Sequence, residues 1–422
     1  MGGGAPGQEF EFLGPWLGPV GIVFGLPAVC YALVLFCGAD GCLELAPLNV
    51  PTPSLAWKTI YSHEGLAVFM CWIAYVVLMH VLLPGKTVEG VNLGNDKRLK
   101  YKMNGFTVLI VTLAAVGYFG FYAKAVDLAW THTHFLPLLT GSVIFSFALS
   151  FYLYLTSHIS GRLLSAGGNT SVGFYNFFIG RELNPRIGSF DLKEFFELYP
   201  GLIGWVVLDL GMAASQLSQI GYITNSMALV CMFHLIYVID ALWFEPAILT
   251  TMDITTDGFG FMLAFGDITW VPFTYCLQAR YLADNPRDLS NVEMAVIVAL
   301  KLMGYIIFRG ANGQKNQFRK DATHPSVAHL KTMPTERGTK LIISGWWGVV
   351  RHINYTGDWL MGLAWCLPCG YQHIIPYFYA IYFGTLLVHR EMRDEHACQL
   401  KYGKDWAKYC SIVKYRLIPF IY

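Results

Sequence analysis

Residues 134–158 read HFLPLLTGSVIFSFALSFYLYLTSH, 25 positions without a single Asp, Glu, Lys or Arg. A helix of about 20 apolar residues crosses the hydrocarbon of a bilayer, where only helices and closed barrels satisfy their own backbone. The stretch is therefore predicted to span a membrane. Windows 16–37, 60–84, 106–122, 198–220, 222–244, 258–282 and 291–308 read the same way. A final window, 356–388, is interrupted by Leu367-Pro368-Cys369-Gly370 and reads as two shorter spans. The predicted fold class is an all-α polytopic membrane protein of about ten transmembrane helices.

Composition agrees. Of 422 residues 55% are hydrophobic and only 14% charged, where a soluble chain carries about a quarter. A mean hydropathy of +0.45 excludes a water-facing surface. Collagen-like repeats, disorder and a disulfide scaffold are excluded as well. The net charge of +1 gives no reason to expect a nucleic-acid partner. Most of the ten cysteines lie in apolar stretches, where they act as small hydrophobes. Cys366 and Cys369 form a C-x-x-C with no second pair at zinc spacing, so no metal site is expected. Residues 1–15 contain no Lys or Arg for a signal peptide, so the first apolar stretch is read as a retained span.

Ten spans place 85–105, 159–197, 245–257, 309–355 and 389–422 on one side with the N-terminus. Those segments hold 24 of the 29 lysines and arginines. Such asymmetry marks the cytoplasmic face, so both termini are expected there, at the endoplasmic reticulum in a eukaryote or the inner membrane in a bacterium. Loop 159–197, with its Gly180-Arg181-Glu182-Leu183-Asn184-Pro185-Arg186, and the last 34 residues interleave charge with aromatics or paired acids. Both are expected to be ordered.

Ionisable groups inside spans are costly and therefore informative. The richest cluster is His234, Tyr237, Asp240, Glu245, Asp253, Asp257 and Asp267. His234, Tyr237 and Glu245 recur at helical spacing, and an acid or phenol in an apolar cavity can donate a proton. The competing reading is a buried network that locks helices. For Asp209 and His80 that packing reading is favoured.

The cytoplasmic segments suit a phosphate-bearing ligand. Lys315 and Arg319 stand four residues apart and can grip a phosphate together, or serve as a juxtamembrane charge run touching anionic lipid. Trp346-Trp347 reads as an interfacial anchor, while Asn354 and Asp358 require partners. Arg390 and Asp394, again four apart, form at least a helix-surface pair. Neither a Rossmann fingerprint nor a P-loop is present, so side chains would have to hold any nucleotide.

Residues 173–190, GFYNFFIGRELNPRIGSF, and 386–403, LLVHREMRDEHACQLKYG, resemble the two signatures of the sterol reductase family. The stretch Asp240–Tyr281, with Asp257-Gly258-Phe259-Gly260, is similar to its C14-reductase branch, to which the membrane part of the lamin B receptor belongs. The likeness covers nearly the whole chain and departs at Asn176, where the family has an acid. It implies one domain, 1–422, with a sterol pocket among the spans of 1–308 and a cofactor region over 309–422. It also implies NADPH-dependent reduction of the C14=C15 bond of a sterol 8,14-diene that enters from the lipid phase. No soluble domain is seen before the spans, which fits the stand-alone enzyme. By resemblance Lys315, Arg319, Trp347, Asn354, Arg390, Asp394 and Tyr409 match cofactor positions. Tyr355, Asp358, Cys398, Lys401 and Tyr402 complete that set. The chemistry needs a proton donor, expected among Tyr237, Asp240, Glu245 and Asp267. The alternatives are a C7-reductase of the same family, a sterol-binding sensor or scaffold, and a membrane methyltransferase using S-adenosylmethionine, in which Lys315 and Arg319 would be idle.

Overall fold

The computed structural model describes residues 13–38, 41–45, 48–49, 51, 56–93, 98–159 and 161–422. Most of the residues in which no signal peptide was read, 1–12, lie outside that set. The chain forms two compact units, 1–286 and 287–422.

Among the described residues seven helices are long and apolar enough to cross a membrane. They are Leu17–Leu35, Trp57–Leu82, Gly105–Tyr122, Phe135–Thr156, Leu192–Ile220, Asn225–Trp243 and Asn291–Lys320. The two remaining windows are helical but segmented. Window 258–282 breaks into Phe261–Phe265, a π-turn Gly266–Trp270, Val271–Tyr275 and Leu277–Asp284. Pro272 supplies the cause: it lacks the N–H that Ile268 would accept in an α-helix and crowds that carbonyl, so the turn before it widens. Window 356–388 becomes Ile353–Cys366 and Phe378–Tyr402, parted at Pro368 and Gly370.

In the first unit Leu192–Ile220 is the most enclosed of the seven helices. Gly201 lets it approach the π-turn so closely that a Cβ there would lie 1.9 Å from the Asp267 carbonyl oxygen. Loop 85–105 forms an antiparallel hairpin, Lys86–Asn92 with Arg98–Met103, in which Lys86 faces Met103. Loop 159–197 is ordered. Its Gly180 meets the Gly258–Gly260 turn backbone to backbone, Phe259 N–H donates to Glu182 O at 2.9 Å, and Asn184 donates to Ile254 O at 3.2 Å. Asn176 closes this loop as an amide can and a carboxylate cannot, since its nitrogen donates to Thr170 O at 2.8 Å while its oxygen accepts from Thr170 N–H at 2.9 Å. A disulfide that composition did not reveal joins Cys37 to Cys42 in a short hairpin after the first span.

The second unit starts earlier than the sequence placed its cofactor region, because the Asn291–Lys320 helix belongs to it. Ser290 and Glu293 form a reciprocal capping box at the helix start. The helix then packs against Ile353–Cys366 through two glycines. A Cβ on Gly304 would meet Gly357 O at 2.7 Å, and one on Gly357 would meet Gly304 O at 2.7 Å. The helices Phe378–Tyr402 and Lys404–Ile412 complete the unit with the small antiparallel pair Thr332–Pro334 and Lys340–Ile342.

Candidate functional site

In the second unit some of the residues expected to hold a cofactor lie near the start of the Ile353–Cys366 helix. Lys315, on the last turns of Asn291–Lys320, carries its ammonium 4.2 Å from the centre of the Trp347 ring. That indole donates to Ala311 O at 2.9 Å and belongs to an apolar cluster with Val327, Leu330 and Val350. Trp347 is thus a buried floor beneath Lys315. Arg319 follows one turn later and is exposed. Asn354 reaches back to Asn312, its Nδ2 donating to Oδ1 at 3.3 Å.

His352 stacks on Tyr355 with ring centres 5.1 Å apart. Its Nε2 stands 3.7 Å from Asp394, beyond hydrogen-bond reach. Burial, only partly opposed by Asp394, lowers the imidazole from 6.5 to about 4, so the ring is neutral at physiological pH. Arg390 and Asp358 both lie close enough to the Tyr355 phenol to act on it electrostatically. Cys398 Sγ sits 4.0 Å from Asp394, and burial raises the thiol to about 11.

Cys398, Tyr402 and Tyr409 pack in an apolar cluster with Met333, Trp406 and Val413. Tyr409 stacks on Trp406 at 4.9 Å, and burial raises its phenol. Lys401 is exposed, 5.1 Å from the Tyr402 ring. The polar centre of this region is therefore Lys315, His352, Asn354, Tyr355, Arg390 and Asp394, with the aromatics behind it. Sequence reasoning gave His352 no role, although it stands in a polar run, Arg351-His352-Ile353-Asn354, at a span's edge.

A nucleotide fits this centre on structural grounds. His352 Nε2 and Asn354 Oδ1 are buried polar atoms without a hydrogen-bond partner, and such atoms are costly unless something pairs with them. Cations and a carboxylate surround them, as a phosphate and a ribose require.

In the first unit the expected donors fall into three polar networks. Glu245 lies past the end of the Asn225–Trp243 helix. Its Oε2 accepts from Gly105 N–H at 3.0 Å and its Oε1 from the Tyr199 phenol. It thereby caps the Gly105–Val116 helix across the chain, where a carboxylate meets the positive end of the helix dipole. Asn104 extends this network by donating its N–H to the Tyr199 oxygen at 3.0 Å. His80 is wedged among Tyr199, Phe195 and Phe190.

The second network pairs His234 Nδ1 with Asp209 Oδ2 at 2.9 Å, and Trp205 approaches the same nitrogen at 3.2 Å. The half-buried Tyr237 adjoins it, 6.0 Å from the Trp205 ring, with Asp240 one turn further along the helix. The third network centres on Lys193, fully buried, whose ammonium is held by the carbonyl oxygens of Asp253 and, at 2.8 Å, Asp257. Asp267 lies within electrostatic reach of Glu197 and Asp253, and its Oδ2 is shut from solvent without a hydrogen-bond partner. Tyr199 and Lys193 went unnoticed in the sequence, because nothing in their spacing distinguishes them from helix-packing residues.

The same unit holds an apolar cavity of about 110 Å³, walled by Phe69, Trp72, Gly204, Leu208, Ile268 and Phe273 among others. One wall residue, Ile268, follows the candidate donor Asp267, and another, Gly204, precedes Trp205, whose ring lies 6.0 Å from that of Tyr237.

A family model described as the ergosterol biosynthesis ERG4/ERG24 family matches residues 7–422. The delta(14)-sterol reductase erg24 of Schizosaccharomyces pombe is 47% identical, covering 98% of this chain and 97% of the relative. The delta(14)-sterol reductase TM7SF2 of Mus musculus is 46% identical over 98% of this chain and 97% of its own. The delta(14)-sterol reductase LBR of Gallus gallus is 49% identical over 97% of this chain, which spans 63% of that longer protein.

Proposed function

Because the chain belongs to the ergosterol biosynthesis ERG4/ERG24 family, we propose that it is an NADPH-dependent delta(14)-sterol reductase that saturates the C14=C15 bond of a sterol 8,14-diene. The observation that carries this reading is its near end-to-end similarity to relatives named as delta(14)-sterol reductases.

NADPH, when bound, supplies the hydride. The chain's own task is to hold that nucleotide, to deliver a proton to the alkene and to keep water away from the carbon left short of electrons. Lys315 and Arg319 neutralise the 2′-phosphate, and Arg390 with the pyrophosphate forms a charge-assisted pair. Asn354, Tyr355 and Asp394 offer hydrogen bonds to ribose and carboxamide, while Asp358, Trp347 and Tyr409 support the wall. Cys398, Lys401 and Tyr402 lie on the Phe378–Tyr402 helix with Arg390 and Asp394 and complete the cofactor side.

The proton comes from the first unit. Tyr237 and Asp267 are preferred as donor, because each is half-buried and adjoins a residue that is in or next to the wall of the apolar cavity. Asp240, on the turn after Tyr237, would return the proton to it. Glu245 acts by holding the Gly105–Val116 helix in place. The cavity's hydrocarbon wall suits part of a sterol nucleus entering from the lipid phase.

Both termini face the cytoplasm in this reading. The Cys37–Cys42 disulfide supports it, since it follows the first span and disulfides persist on the oxidising side of a membrane. Membrane-impermeant thiol reagents applied to sealed microsomes should reach this pair only after reduction and permeabilisation; labelling without permeabilisation would invert the topology.

The deciding experiment is NADPH oxidation by the purified, detergent-solubilised protein, with and without a sterol 8,14-diene. A product heavier by two hydrogens, and deuterated from 4-deuterated NADPH, is expected. Bound sterol without oxidation or product would turn the reading to a sensor. Turnover of Tyr237→Phe and Asp267→Asn then separates the donors, with a loss of roughly a hundredfold or more for the true one.

A further inference from the structure

Residues 413–422 run beside the start of the Ile353–Cys366 helix and bind it through backbone. Arg351 N–H donates to Tyr415 O and His352 N–H to Arg416 O, each at 2.9 Å. The buried Arg351 guanidinium adds bonds to Val413 O and Lys414 O, both at 3.0 Å. At its far end the segment turns back on itself. The N–H groups of Arg416, Leu417 and Ile418 converge on the Tyr422 carbonyl oxygen at 2.7, 3.0 and 3.2 Å, a nest of oriented donors.

That turn aims two side chains at one carboxylate. The Tyr422 phenol donates to Glu391 Oε2 at 3.2 Å, and Arg416 Nη1 reaches the same oxygen at 3.2 Å. The Arg416 guanidinium also lies 5.6 Å from the Tyr422 ring. Glu391 is fully buried, and its other oxygen has no partner. A buried carboxylate stripped of its partners is strongly unfavourable, so these contacts decide whether this helix face stays in place. Four residues on, Glu395 faces Arg351 at 3.6 Å.

Glu391 and Glu395 are thus the strip of the Phe378–Tyr402 helix that the 413–422 segment and Arg351 grip. Arg390 and Asp394 precede them by one residue each and fall on the neighbouring strip, about 100° around the axis. The same segment holds residues 351 and 352 just before the other helix, next to Asn354 and Tyr355.

We infer that the Arg416–Tyr422 clamp on Glu391 is a positioning device for the nucleotide. It fixes the rotation of the Phe378–Tyr402 helix and so sets Arg390 and Asp394 against Tyr355 and His352. The inference rests on the proposed assignment of Arg390, Asp394 and Tyr355 to the cofactor. Arg416 and Tyr422 touch no nucleotide and act through Glu391. A small misplacement of binding groups is enough to weaken a site.

The test is titration of the purified full chain with 2′,5′-ADP and with NADPH, alongside steady-state kinetics and a thermal midpoint. Tyr422→Phe is expected to bind 2′,5′-ADP roughly fivefold to tenfold more weakly and to raise the KM for NADPH by the same factor. Its kcat at saturating NADPH should be retained. Glu391→Gln should show the same split, and it carries the test if Tyr422→Phe does not fold. Unchanged nucleotide affinity in a folded variant would overturn the inference while leaving the reductase reading intact. So would a fall in kcat alone that tracks a lowered thermal midpoint, since that marks a merely structural bond. Failure of the unaltered protein to bind 2′,5′-ADP would overturn the cofactor assignment itself, and the inference with it.

Discussion

The Lys315 ammonium lies 4.2 Å from the centre of the Trp347 ring, and the N–H of that indole is anchored to Ala311 O. The ring therefore does two things: it buries the lysine stem and aims its charge. A cation over an aromatic face gains about 0.5–2 kcal/mol, enough to hold one rotamer yet too little to neutralise the charge. Lys315 stays available to an anion.

Lys315→Met keeps the stem against Trp347 and removes only the charge. With a charge-assisted phosphate bond worth about 2 kcal/mol, the KM for NADPH should rise roughly thirtyfold. The KM for NADH should change far less, because NADH has no 2′-phosphate. Equal effects on both nucleotides would move Lys315 away from the 2′-phosphate.

His352 gives the second unit a pH dependence of definite sign. Burial lowers its folded-state value from 6.5 to about 4. Below pH 6.5 the unfolded chain therefore takes up a proton that the folded chain refuses. Stability falls as pH drops from about 6.5 towards 4 and is insensitive to this residue above that window. The full effect is on the order of 3 kcal/mol. Thermal midpoints between pH 7 and pH 4.5 should decline less steeply in His352→Gln than in the unaltered protein.

Tyr199 and Glu245 are coupled through the phenol, which donates to a carboxylate that also caps Gly105. Tyr199→Phe should destabilise the first unit by about 1–3 kcal/mol, the cost of depriving a buried acceptor of a donor. In a double-mutant cycle with Glu245→Gln the two changes should be non-additive by more than about 0.5 kcal/mol. Additive effects on the thermal midpoint would mean that the bond contributes nothing.

These residues also mark where the sequence stopped being legible. The spans could be read because hydrocarbon tolerates so few alternatives, while Lys315, Arg390 and Asp394 stood out by helical spacing and Asn354 and Tyr355 by family likeness. Glu245 defeated the same method. Extending the spacing of His234 and Tyr237 assumed one unbroken helix, but the helix stops at Trp243 and a 3-10 turn swings the carboxylate towards Gly105. Tyr199 and Tyr422 act through partners 46 and 31 residues away, and no local pattern encodes such pairings. Window 258–282 was apolar enough to look like one span, and its π-turn arises from a single proline.

Gly180 is the joint between the GRELNPR loop and the Asp257–Gly260 turn, and it has no room to change. Its φ is +96°, a region that residues with a Cβ rarely adopt, and a Cβ there would lie 2.4 Å from the backbone of Gly258, Phe259 and Gly260. Gly180→Ala combines backbone strain with a clash against main chain, which has no flexible end to swing aside. The cost should reach about 3 kcal/mol or more. Because Phe259 N–H bonds Glu182 O and Lys193 holds the Asp253 and Asp257 carbonyls, displacing the turn should carry Asp253 away from Asp267. Turnover should therefore fall further than the loss of folded protein explains, while 2′,5′-ADP binding by the remaining folded fraction persists. Specific activity per mole of nucleotide-binding protein is the measurement that decides, and a value equal to that of the unaltered protein would confine Gly180 to folding.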